Sequence, residues 1–123
     1  MIQLSLADIL KKGRANSVLS GRADGAYARA ILKLNDIEDR GERINFLVPR
    51  DLRELTPSFV LGLFSATFKK FSGDLADFDE IRSKFFELYD VSASKEVLED
   101  IDEAIHDFID SEKSLASFTA TKH

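Results

Sequence analysis

Cysteine is absent from this 123-residue chain, which removes disulfide frameworks, thiolate nucleophiles and cysteine-based zinc sites together and fits a reducing compartment. Histidine is scarce: His106 lies in an acidic stretch and His123 at the end. There is no Gly-rich phosphate loop followed by Lys, no nucleophile elbow and no zinc-binding histidine pair. No apolar run approaches the ~20 residues of a membrane span, and no basic flank precedes a long apolar segment at the N-terminus. Cytoplasmic residence without membrane contact is therefore the expectation. Positive charge is also short, with 17 Lys and Arg against 22 Asp and Glu. Residues 91–123 hold eight acids and three lysines, so this last quarter supplies the whole net charge of -5. That distribution opposes nucleic-acid binding, which needs a basic stripe. The small clusters Lys11, Lys12, Arg14 and Lys69, Lys70 read as solvated surface.

What is present supports a packed interior: 44% of residues are hydrophobic and ten are Phe. One domain is expected at this length. Ile2, Leu4 and Leu6 alternate with polar or small residues as a half-buried strand does, against a competing helical reading from Ser5 onward. A brief strand at Val18-Leu19 would make a hairpin with the first. Ala23, Ala26, Tyr27, Ala30, Ile31, Leu34 and Ile37 keep helical spacing in one run, with Gly25 costing that helix about 1 kcal/mol relative to Ala. Asp39-Arg40-Gly41 turns the chain into an apolar strand, Ile44 to Val48, closed by Pro49. Residues 81–90, rich in the β formers Phe85, Phe86 and Tyr89, read as another strand. Val97, Leu98, Ile101, Ala104, Ile105, Phe108 and Ile109 stripe a helix whose other face is acidic.

The chain is organised around the helix that follows Pro49. Thr56 can cap it, Pro57 suits its first position, and Phe59, Val60, Leu63, Phe64, Phe68 and Phe71 recur at three and four residues up to Gly73. Ser58 falls in the first turn, where exposed N–H groups and the helix dipole favour negative charge. Together these elements predict an α/β or α+β fold, a mixed sheet of about four strands with helices packed against it. The domain is expected over residues 1–113, with 114–123 as a fraying tail. Phe46, Leu63, Phe64, Phe85, Ile101 and Ile105 are expected to be buried together.

LRELTPSFVLGLF, residues 52 to 64, resembles the strand-to-helix passage of STAS domains, the fold of anti-sigma-factor antagonists. It is more similar to the bacterial STAS-like domain family of unknown function, through Leu52, Leu55 and Ser58-Phe59 at that family's spacing. Two features depart from the pattern: Val48-Pro49 replaces an acid-aromatic pair and Leu61-Gly62 replaces two later acids. In the antagonists the Ser of an Asp-Ser pair at this helix start is phosphorylated by a partner kinase; here Pro57-Ser58 holds that place. The resemblance implies a STAS-like fold, a protein partner of the kinase-like ATPase or anti-sigma type, and Ser58 as phosphorylation candidate. It also singles out Arg22, at the start of an earlier helix, as a binding candidate.

The inventory favours a binding module over an enzyme, and no catalytic residue or cofactor is assigned. Asp102, His106 and Asp110 share a helix face at spacings of four, but a densely acidic helix places carboxylates near any histidine, so no metal site is assigned. The leading reading is a non-enzymatic regulatory module switched at Ser58. The second is a small-ligand or nucleotide-binding domain with an anion site made by Arg22, Arg50, Thr56 and Ser58. A third is an assembly protein using its acidic last helix as an interface, which a homo-oligomer would fit.

Overall fold

The computed structural model describes residues 2–7, 18–19, 21–49, 54–72 and 77–120. In chain order its elements are β1 (Ile2–Ser5), β2 (Val18–Leu19), α1 (Arg22–Leu32), α2 (Leu34–Asp39) and β3 (Ile44–Leu47). Then follow β4 (Glu54–Leu55), α3 (Pro57–Ser72), α4 (Phe78–Leu88), β5 (Tyr89–Ser92) and α5 (Lys95–Ala120). Strands β1, β3 and β5 form a parallel sheet in that order, with Ile2 opposite Ile44, Ile44 opposite Tyr89, Leu4 opposite Phe46 and Phe46 opposite Val91. This is a small single α/β domain. The sheet is parallel rather than mixed, because every return between neighbouring strands passes through helices.

Sequential strand order has a consequence for the two faces. Successive right-handed crossovers in one direction place their helices on the same side of a sheet. The inward row obeys this, with Ile44, Phe46 and Tyr89 buried. In the other row Gln3, Leu47, Asp90 and Ser92 are exposed, whereas Ser5 and Asn45 are half-buried. Leu47 is the apolar exception at 48% exposure.

Several sequence-based expectations are corrected. Val18-Leu19 does not pair with β1; β2 pairs in parallel with β4 as a separate two-stranded unit. The stretch 81–90 is helical up to Leu88 and extended only from Tyr89. Its β formers mislead because Phe78, Ile81 and Phe85 also keep helical spacing, and Asp79 and Glu80 in the first turn suit a helix start. The single helix expected from Ala23 to Ile37 is divided at Lys33, whose φ of 56° and ψ of 43° are left-handed.

The buried face of α1 also differs from the expected stripe. Gly25, Ala28, Arg29 and Leu32 face inward, while Ala23, Ala26, Tyr27 and Ala30 are exposed. The cause is the close approach of α3. A Cβ on Gly25 would lie 2.1 Å from the Phe59 carbonyl oxygen, and one on Gly62 would lie 2.1 Å from that of Arg22. Gly25 is thus a helix-crossing residue, and its propensity cost is offset by α1 packing directly on α3. Around this crossing the six residues expected to share the core are all buried, with no more than 2% exposure. Phe64 meets Phe46, Phe85 and Tyr89 at centroid distances of 5.5, 4.9 and 5.0 Å, each T-shaped. Such edge-to-face pairs add about 0.5–1.5 kcal/mol each beyond area burial.

Candidate functional site

The start of α3 has the predicted local chemistry. Thr56 Oγ1 accepts from the Phe59 N–H at 3.2 Å, a side-chain cap on the third helical residue, and Pro57 occupies the first. The same oxygen accepts from the Gly21 N–H at 3.3 Å, tying the entry of α1 to the entry of α3. Ser58 is exposed, and its Oγ lies 3.2 Å from Thr56 Oγ1. No acidic residue stands in the first turn of α3, so no residue of that turn neutralises the positive end of a 16-residue helix.

Helices α1 and α3 enter at the same end. Gly21 meets Thr56, Arg22 meets Gly62, and Arg29 reaches Leu63 and Thr67 further along. Lys70, near the far end of α3, bonds Glu38 just before β3 begins. The Thr56-Ser58 start therefore points toward the carboxyl ends of the strands.

Of the four binding candidates, Thr56 and Ser58 are in contact and Arg22 is adjacent through its backbone. Arg50 lies outside the described residues. Arg22 lines a cleft of about 350 Å³ between α3 and α5, with Ser65, Ala66, Lys69, Phe108, Ser111 and Glu112. Neither Thr56 nor Ser58 lines it, so this cleft does not join the residues of the expected anion site. A second cavity, of about 590 Å³, opens at the carboxyl ends of β3 and β5. Its walls are Leu47, Val48, Pro49, Ser92, Ala93, Ser94 and Val97. Ser94 Oγ caps α5 there by accepting from the Val97 N–H at 3.3 Å.

On α5, Asp102 pairs with Arg82 Nε at 2.7 Å and His106 stacks on Phe78 at 4.2 Å. Both side chains are thus engaged by α4 instead of converging with Asp110. No cluster of metal-ligating residues occurs among the described residues, and none of their helices is long and apolar enough to cross a membrane.

A buried ionic network escaped the sequence reading. Glu38, whose side chain is 1% exposed, receives four donors. Arg29 Nη2 at 2.9 Å and Lys70 Nζ at 3.0 Å reach one oxygen; the Thr67 and Tyr89 hydroxyls, both at 2.5 Å, reach the other. Arg29 also donates to Asn35 Oδ1, the Leu63 carbonyl and Thr67 Oγ1. Burial pushes the Glu38 carboxyl up, but hydrogen bonds from Thr67 and Tyr89 and the Arg29 charge outweigh it and hold Glu38 below its ordinary 4.5. Burial, then the facing carboxylate, pushes the Tyr89 phenol well above its ordinary 10.0. The one available signal was Arg29 itself, which keeps helical spacing with the buried Gly25 and Leu32 and so requires a partner. The network joins α1, α2, α3 and β5 and has the character of a structural lock.

Comparison with family models, curated proteins and solved structures finds no match to this chain.

Proposed function

We propose that this chain is a non-enzymatic STAS-like regulatory module that binds another protein around the start of α3 and is switched by phosphorylation of Ser58. The observation that carries this reading is the exposed Ser58 in the first turn of a helix whose cap is already supplied by Thr56. A partner kinase would transfer the γ-phosphoryl of a nucleoside triphosphate to Ser58 Oγ. The new O–P bond forms as the bond to the β-phosphate breaks, and the hydroxyl proton leaves to the kinase's base. The added charge of about −1.5 to −2 lies on a surface the partner must desolvate, so binding is lost through repulsion and dehydration cost. The partner is of the kinase-like ATPase or anti-sigma type.

Affinity capture from the source lysate with wild-type, Ser58→Ala and Ser58→Asp chains tests this, with mass spectrometry of the bait. A protein held by wild type and Ala but lost with Asp, with phosphate found on Ser58, supports the switch. Equal capture by all three removes it.

The cavity at the ends of β3 and β5 favours a second reading, small-ligand binding. Its volume of about 590 Å³ lies within the range of ligand pockets, and crevices outside strand carboxyl ends are where α/β sheets bind ligands. A ligand that raises the melting temperature of wild type, but not of Val97→Trp, supports that reading.

A further inference from the structure

We propose that Arg22, a residue at the edge of the cleft between α3 and α5, turns its guanidinium to Ser58 and holds the phosphate there. This rests on Ser58 being the phosphoacceptor and names the residue that reads its state. Three observations carry it.

The first is distance through contacts. Ser58 Oγ is 3.2 Å from Thr56 Oγ1, which is 3.3 Å from the backbone nitrogen of Gly21, the neighbour of Arg22 in the chain. On α3, Ser58 also stands one turn before Gly62, against which the Arg22 carbonyl packs. A phosphate on Ser58 is thus built beside the residue bearing the guanidinium.

The second is that no described residue engages this guanidinium. Arg22 is exposed, and among the described residues its side chain has no hydrogen-bond or ion-pair partner. Among the described residues two other cations beside α3 are engaged: Lys69 Nζ lies 3.0 Å from each Glu112 oxygen, and Arg29 is buried against Glu38.

The third is electrostatic. Arg22 opens α1, where its charge opposes the dipole, and the entry of α3 places a second positive helix end beside it. A dianion between them relieves both and gives the planar guanidinium the bidentate partner it suits. Once turned toward Ser58, Arg22 no longer lines the cleft with Ser65, Ala66 and Phe108. The phosphate then changes that groove as well as its own surroundings.

The test uses the full chain with phosphoserine incorporated during translation at position 58, followed by phosphorus NMR across pH. The second phosphate pKa, ordinarily about 6, is expected to be roughly 0.5–1 unit higher in Arg22→Gln than in the otherwise wild-type phosphorylated chain. Arg22→Lys should recover part of that difference. Arg40→Gln, which removes an equal charge from an exposed position at the C-terminal end of α2, where Asp39 meets Lys70 near the far end of α3, should leave the value unchanged. An unchanged pKa in Arg22→Gln, or an equal rise in Arg40→Gln, overturns the proposal. Because the phosphate is supplied by design, a flat titration removes Arg22 as its holder without touching the capture result. Absence of Ser58 phosphate in cells removes the switch without touching this titration.

Discussion

Replacing Glu38 with Gln probes the buried lock with almost no change of shape. All four donors reaching Glu38 are spoken for by its two oxygens, two to each. With its amide oxygen kept toward Arg29 and Lys70, Gln can turn its NH2 toward the Thr67 and Tyr89 hydroxyls, which then accept, so what is lost is the charge: Arg29, with a side chain only 9% exposed, loses its buried counter-ion. Breaking such a buried pair from one side costs about 3–5 kcal/mol. Domains have about 5–15 kcal/mol in all. With each kcal/mol worth about 3–5 °C at this size, the melting temperature should fall by roughly 10–20 °C. Tyr89→Phe keeps the ring among Phe46, Phe64 and Phe85 and removes one hydrogen bond to a charged acceptor, about 1.5–3 kcal/mol. Urea unfolding followed by circular dichroism measures both. The double variant should lose less than the two single losses combined, since the hydroxyl and carboxylate stabilise each other. A Glu38→Gln loss below about 1 kcal/mol, or strict additivity with Tyr89→Phe, would refute the lock.

The helix crossing, the cap and the pH response give further tests. Gly62→Ala places a Cβ 2.1 Å from the Arg22 carbonyl, so overpacking of about 1–3 kcal/mol exceeds the propensity gain of about 1 kcal/mol, and urea midpoints should fall. Thr56→Ala should lose about 1–2 kcal/mol by the same assay, with Thr56→Ser recovering most of it. Because the folded pKa of Glu38 is lowered, its contribution is complete above its ordinary 4.5 and disappears as pH falls through the folded value; Glu38→Gln should flatten that acid limb. Because that of Tyr89 is raised, its contribution is complete below its ordinary 10.0 and is lost as pH rises beyond it; Tyr89→Phe should remove this alkaline decline.

What was legible in the residues followed from local rules. Thr56-Pro57 marks a helix start through one hydroxyl and one missing N–H, and Ile44 to Pro49 marks a buried strand through an apolar run and its breaker. Pairing was less legible. Nothing in Val18-Leu19 says that it meets Glu54-Leu55 instead of β1, because two residues carry too little pattern to specify a register. The α1 face was misread because its Ala stripe looks apolar while the decisive contact is made by Gly25, a residue with no side chain. The lock was hidden for a similar reason: Glu38 meets Tyr89 across 51 positions and Lys70 across 32. At the α3 start, Thr56 and Ser58 stand as expected from sequence, whereas the coupling to Gly21 and Arg22 depends on the parallel packing of α1 on α3.

The central claim is that the state of Ser58 governs partner binding. Its most direct measurement is isothermal titration of the captured partner into the unmodified chain and into the chain carrying phosphoserine at position 58. The account predicts at least a tenfold weaker affinity for the phosphorylated chain, about 1.4 kcal/mol, with Ser58→Ala binding like the unmodified protein. Equal affinity for both forms would contradict it.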